Sequence, residues 1–164
     1  MRRTILFVVI FLFILTACGQ AAPPPAPAQF TSQAQVTFGE DEFAAKVAQS
    51  RPGVLEVTFT APAEIAGMEL LLQGTTATLQ YHGMQTELPQ SALPISNFAV
   101  LLNTVLLQLA QESAPKQFAS VRDGSFTLQG SASGLAYQAT VAENGMLITM
   151  EVPGIGLQVL LDAE

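Results

Sequence analysis

Between Gln33 and Phe59 apolar and polar side chains alternate with a period of two, through Ala34, Val36 and Phe38, then Phe43, Ala45 and Val47, then Leu55, Val57 and Phe59. Successive side chains of a strand point to opposite faces, so these runs predict strands with one buried face. Ser50-Arg51-Pro52-Gly53 supplies turn chemistry and predicts a β-hairpin. A short helix over 40–49 is the competing reading, because Glu40, Asp41 and Glu42 would form an acidic first turn and Phe43 and Val47 stand at i,i+4. The hairpin is preferred, since the strand that follows needs a partner. After a connection containing Pro62, Met68, Leu70 and Leu72 alternate, Gln73-Gly74-Thr75 turns, and Ala77, Leu79 and Tyr81 alternate again. Thr76, Thr78, Gln80 and His82 form the opposite, polar face, which predicts that one side of the sheet meets water.

The period then changes. Pro89 and Pro94 punctuate a loop, and Ser96 or Asn97 can cap a helix over 98–111, where Phe98, Leu101, Leu102, Val105, Leu106 and Leu109 make one apolar stripe. Val100 and Leu107 widen that stripe and leave Asn103, Thr104, Gln108 and Gln111 as the polar remainder, so the helix is expected to lie deep. Beyond Pro115 the period of two returns with Phe126 and Leu128, then Leu135, Tyr137, Ala139 and Val141. Asn144-Gly145 is a strong hairpin signal leading into Met146, Ile148, Met150 and Val152, and Leu157, Val159 and Leu161 follow Pro153-Gly154. Seven or more strands around one long helix predict an α+β domain in which the helix covers the apolar face of an antiparallel sheet.

The first residues obey a different pattern. Arg2 and Arg3 precede an unbroken apolar run over 5–15, which closes on Leu15-Thr16-Ala17-Cys18. Eleven apolar residues are too few to span a bilayer, which takes ~20. The layout is that of a secretory signal. Its ending resembles the bacterial lipobox, and that resemblance implies cleavage before Cys18 and attachment of a diacylglyceryl group, with acyl chains such as palmitate, to its thiol. One chain holds a protein only marginally, so two or more are needed for stable anchoring. An ordinary signal peptide with a nearby Cys, or an uncleaved anchor, is the alternative. From Gly19 the chain is rich in Pro and Ala, with Pro23, Pro24, Pro25 and Pro27, and reads as an extended spacer. The expected organisation is a lipoprotein signal peptide over 1–17, a lipidated Cys and tether over 18–32, and a single domain over 33–164.

Composition narrows the partners. Past residue 17 only Lys46, Arg51, Lys116 and Arg122 oppose thirteen carboxylates. Phosphate binding needs clustered basic side chains, so nucleic acid is not an expected partner, and attachment to a membrane falls to the lipid anchor. With Cys18 the sole cysteine, no disulfide can form within the chain.

Motifs for catalysis are thin. His82 is the single histidine and stands on the polar face beside Gly83. Gly130-Ser131-Ala132-Ser133-Gly134 lacks the central serine of a nucleophile elbow. Gly154-Ile155-Gly156 lacks a third glycine and a strand-to-helix context. Glu40, Asp41 and Glu42 are adjacent, whereas calcium loops place ligands at alternate positions. No cofactor and no metal are expected, and the chain is not expected to be an enzyme.

Over residues 43–162 the pattern resembles the lipoprotein-carrier (LolA/LolB-like) superfamily, together with related mycobacterial lipid-binding lipoproteins and small Gram-positive lipoproteins. The resemblance is carried by Val57-Thr58-Phe59-Thr60-Ala61-Pro62, residues 68–72, Leu79-Gln80-Tyr81-His82-Gly83 and the helix after Pro94. It implies a curved antiparallel sheet, a half-barrel, wrapped around one long apolar helix, with space between them for acyl chains. The expected function is that of a non-catalytic lipoprotein, anchored in the cell membrane on its extracytoplasmic side, that binds an acyl chain or another apolar ligand, from a lipid or a lipidated protein. Candidate ligand-lining residues are Met68, Leu70, Leu72, Leu79, Leu102, Leu106, Met146, Ile148 and Met150, several of them flexible enough to repack around variable ligands. The alternative is a structural or interaction lipoprotein with a filled core, working through Thr76, Thr78, Gln80 and His82.

Overall fold

The computed structural model describes residues 26–94, 97–111, 117–122 and 124–162. Cys18, the signal-like run and the prolines at 23–25 lie outside them, as does Ser96.

Among the described residues eleven strands form one sheet. The first half is a meander of β1 (Phe30–Phe38), β2 (Asp41–Arg51), β3 (Val54–Ala61), β4 (Glu69–Gln73), β5 (Thr76–Tyr81) and β6 (Met84–Pro89). The helix α1 (Phe98–Ala110) follows, and then a second meander of β7 (Gln117–Arg122), β8 (Ser125–Ala132), β9 (Leu135–Val141), β10 (Leu147–Val152) and β11 (Leu157–Leu161). The order across the sheet is β6-β5-β4-β3-β2-β1-β11-β10-β9-β8-β7, antiparallel throughout. The meanders join where β1 pairs β11, from Ala34 opposite Leu161 to Phe38 opposite Leu157. The hairpin over 41–61 forms as the alternation predicts, with Val47 opposite Val57, and the competing helix does not.

The expected half-barrel around a long helix is corrected. The fold is mostly an open antiparallel sheet whose edges β6 and β7 do not meet, and its single described helix has thirteen residues. At 1.5 Å per residue such a helix is ~20 Å long, whereas eleven strands ~4.8 Å apart span roughly 48 Å. The sheet is therefore the frame, and the helix is a short brace between its two halves. The difference lies in strands that carry no apolar alternation. Along β6 only Leu88 is half-buried and every other residue is exposed, so no apolar alternation marks it. Its hairpin with β5 turns on His82 and Gly83, both at positive φ (50° and 79°), and histidine is an unusual residue for that conformation.

Helix α1 starts where Asn97 caps it, its Oδ1 accepting from the backbone N–H groups of Ala99 and Val100 at 3.1 and 3.3 Å. It packs against β3 and β4 of the first meander and β8 of the second. Beyond Phe98, which is half-buried, its apolar stripe is buried as the pattern predicts, with Leu101, Leu102 and Val105 fully inaccessible. Asn103 is buried as well, against expectation, and its Oδ1 has no hydrogen-bond partner among the described residues. A second link ties the helix to the far meander. The Tyr137 hydroxyl donates to Gln108 Oε1 at 2.7 Å, and Gln108 Nε2 donates to the Ser131 carbonyl at 2.9 Å. The Tyr137 ring lies over Gly130, its cross-strand neighbour on β8, so closely that a Cβ there would stand 2.6 Å from Cζ and Oη.

A β-bulge in β10, between Leu147 and Thr149, breaks the alternation. The extra residue shifts every later side chain to the other face. Leu147, Met150 and Val152 are buried in consequence, while Met146 precedes the strand and Ile148 is only half-buried.

Candidate functional site

Seven of the nine candidate ligand-lining residues come together in the core. Leu70, Leu72, Leu102, Leu106 and Met150 are at most 4% exposed within one continuous cluster, and Met68 and Leu79 pack at its margin. Met146 and Ile148 stand outside that cluster, displaced by the bulge. Around the five buried residues the space is filled by Leu55, Val57, Val105 and Val159.

Open apolar space lies instead at one end of the sheet, where a cleft of about 260 Å³ is lined by Val36, Phe38, Phe43, Phe59, Ile65, Met68, Asn97 and Phe98. Three local features build it. Val36 and Phe43 face each other across the β1–β2 ladder, and Phe38 closes β1 beside the turn. The connection after β3 doubles back, with Phe59 N–H donating to the Met68 carbonyl at 2.9 Å and Gly67 N–H to the Phe59 carbonyl at 2.8 Å, which returns Ile65 and Met68 to the mouth. Finally, the first turn of α1 brings Phe98 edge-on to Phe59, with ring centroids 5.8 Å apart and planes at 89°, the favourable geometry for two π quadrupoles.

The lining is almost without polar groups. Its single amide belongs to Asn97, whose oxygen is already engaged in capping the helix. Such a surface holds a ligand by removing apolar area from water, with shape rather than hydrogen bonds setting the choice. A larger hollow of about 420 Å³ lies on the opposite face around Thr31, Ala48, Glu56 and Leu71, cross-strand neighbours in a row. There the Glu56 carboxylate would lose hydration under an apolar guest, so the aromatic cleft is the better apolar site.

Apart from Met68, none of the cleft's residues was singled out from the sequence as a ligand contact. The available signal was the placement of four phenylalanines at element ends: last in β1, third in β2, near the end of β3 and first in α1. A side chain at an element end has fewer neighbours above it than one at the centre, and the same apolar alternation leaves Phe38, Phe43 and Phe98 half-covered.

The polar candidates lie apart. His82 sits in the β5–β6 turn, exposed, its ring 4.1 Å from that of Tyr81. Ser133 and Gly134 form the β8–β9 turn at positive φ. Asp41 and Glu42 open β2 and face solvent. No group of three metal-ligating side chains is placed to hold an ion among the described residues.

Neither a protein-family model nor a curated protein matches the sequence. The likenesses found are structural. The chain is similar to an uncharacterised conserved protein from Thermus thermophilus, with 12% identity and a TM-score of 0.49 over 80% of this chain and 75% of that one. It is also similar to a LolA superfamily protein from Nitrosomonas europaea, with 13% identity and a TM-score of 0.43 over 85% of this chain and 84% of that one. Neither likeness carries the functional reading, which rests on the chain's own geometry.

Proposed function

We propose that this is a non-catalytic lipoprotein, anchored through Cys18 on the extracytoplasmic side of a membrane, that holds part of an acyl chain in the aromatic cleft between the sheet and the start of α1. Kinship with the lipoprotein carriers belongs to the same proposal. The observation that supports it is the cleft of about 260 Å³, where Phe38, Phe43, Ile65, Met68 and Phe98 are left half-buried over the buried Val36 and Phe59.

Volume limits the ligand. At ~30 Å³ per water-sized group, the cleft accepts roughly eight methylenes. At ~0.8 kcal/mol each, their burial contributes about 6 kcal/mol, which places the dissociation constant no tighter than tens of micromolar. A whole diacylated headgroup does not fit.

The test begins with a soluble domain cut before Ala26, since that residue already packs on the core, and titrates it with a fluorescent fatty acid. Saturable binding at tens of micromolar or weaker is expected, lost in Met68→Glu at the cleft mouth and kept in Thr78→Glu on the polar face. Equal binding by both variants, or none by the parent domain, sinks the ligand reading and leaves the interaction lipoprotein. Anchoring is tested separately: the full chain should pellet with bacterial membranes and Cys18→Ser should not, and equal solubility of the two defeats the anchor.

A further inference from the structure

The tether does not run free to the first strand. Ala26 is 8% exposed and its N–H donates to the carbonyl of Leu109, in the last turn of α1, at 3.4 Å. The next two carbonyls, of Pro27 and Ala28, both accept from Nε2 of Gln49, at 3.1 and 3.3 Å. Gln49 is itself 2% exposed and lies opposite Phe30 at the start of β1. A buried amide that satisfies two successive carbonyls fixes the direction in which the chain arrives. Residues 26–28 therefore form a clamp that pins the tether to one end of the domain.

That end is the one opposite the cleft, and two independent elements agree on it. Along β1 the clamp lies beside Phe30 and the cleft takes Phe38, eight residues or ~27 Å away at ~3.4 Å per residue. Along α1 the clamp lies at Leu109 and the cleft takes Phe98, ~16 Å away at 1.5 Å per residue. From Cys18 to Ala26 there are eight residues, which span at most ~29 Å even when fully extended. The cleft reaches the anchoring bilayer only if nearly all of that length is laid flat along the side of the domain. In every other arrangement the clamp end is the near end.

Resting on the proposal that Cys18 is lipidated and the cleft takes an acyl group, we infer that the clamp turns the cleft away from the membrane that anchors the protein. The cleft then exchanges its ligand with an acyl group presented from the space beyond, not with the lipids of its own bilayer. The clamp is the positioning device, and the short tether enforces it.

The test uses the full lipidated chain in phosphatidylcholine vesicles carrying an energy acceptor on the headgroups. Flotation with the vesicles comes first; a chain that stays in solution overturns the anchor, and the orientation with it. Fluorophores are then placed at Ser50→Cys, next to the clamp, and at Glu40→Cys, in the β1–β2 turn beside the cleft; both native side chains are exposed. Transfer is expected to be stronger from position 50 than from position 40, and inserting fifteen Gly/Ser residues after Gln20 should abolish the difference. A floating chain with equal transfer from the two positions, or stronger transfer from position 40, overturns the orientation while leaving the anchor intact. A difference that survives the insertion overturns the role of tether length.

Discussion

Gly130→Ala tests the contact by which the second meander holds the helix. The new methyl would lie 2.6 Å from Cζ and Oη of Tyr137 and 2.7 Å from Cε1, about 1 Å inside the ~3.5–4.0 Å at which carbon atoms attract. The ring is 7% exposed and cannot swing outward without stretching the 2.7 Å bond from its hydroxyl to Gln108. Overpacking of this kind costs ~1–3 kcal/mol, and loss of the hydroxyl bond would add ~0.5–1.5 kcal/mol. Against these stands a gain of ~0.5–1 kcal/mol, because alanine has less freedom than glycine to lose on folding and Gly130 has no left-handed φ to forbid it. The net expectation is a loss of ~0.5–4 kcal/mol, read as a lower urea midpoint at unchanged slope. In a Tyr137→Leu background the clash has no partner, so Gly130→Ala should be neutral or stabilising by ~0.5 kcal/mol. The double-mutant cycle isolates that difference. A midpoint raised by Gly130→Ala in the native background would show that the ring does not lie over β8.

Leu102→Ala, at a fully buried position, should lower stability by ~2–5 kcal/mol in urea unfolding while fatty-acid binding at the cleft stays unchanged; a loss under ~0.5 kcal/mol would mean that the helix does not fill the core there. Asn103→Leu removes a buried acceptor with no described partner and should stabilise the domain by ~1 kcal/mol, so a lowered urea midpoint would reveal a partner for Oδ1. Burial raises the Tyr137 pKa above its ordinary 10.0. Below pH 10 both states keep the proton, and above it the unfolded chain ionises first, so stability should fall as pH rises past 10. In Tyr137→Phe that part of the slope should vanish, and an identical alkaline profile would show that the hydroxyl is not shielded.

How much of this was legible varies with what each residue reports. Alternation through Val36, Val47, Val57 and Val159 identified strands, because one buried face imposes a period of two on any sheet. The Phe98-to-Leu109 stripe identified the helix for the same kind of reason. What alternation does not carry is neighbour identity: nothing in Ala34 or Leu161 announces that they face each other. Edge strand β6 was invisible because an edge with a wet face needs no apolar pattern. The bulge in β10 was invisible too, since Met146, Ile148 and Met150 alternate in sequence whether or not a residue is inserted between the ladders. The cleft was legible only as a list of core phenylalanines. Whether a core position is covered depends on what packs above it, and that is decided by the return of residues 62–68 and by the angle at which α1 arrives.

The pairing of β1 with β11 sets a timetable. These strands meet in the middle of the sheet, yet the Ser32 Oγ and Asp162 carbonyl that lock them at 2.8 Å are 130 positions apart along the chain. A chain made from its N-terminus presents β1 first and must leave its outer ladder vacant until almost everything else has been synthesised. Were the first meander to fold before β11 arrives, it would be a six-stranded sheet with one edge at β6 and the other at β1, and a vacant edge is a template for a second chain. Closing so long a loop also makes for slow folding. The centre of the sheet is thus the join that needs both ends of the domain, and β1 is the edge left open until they meet.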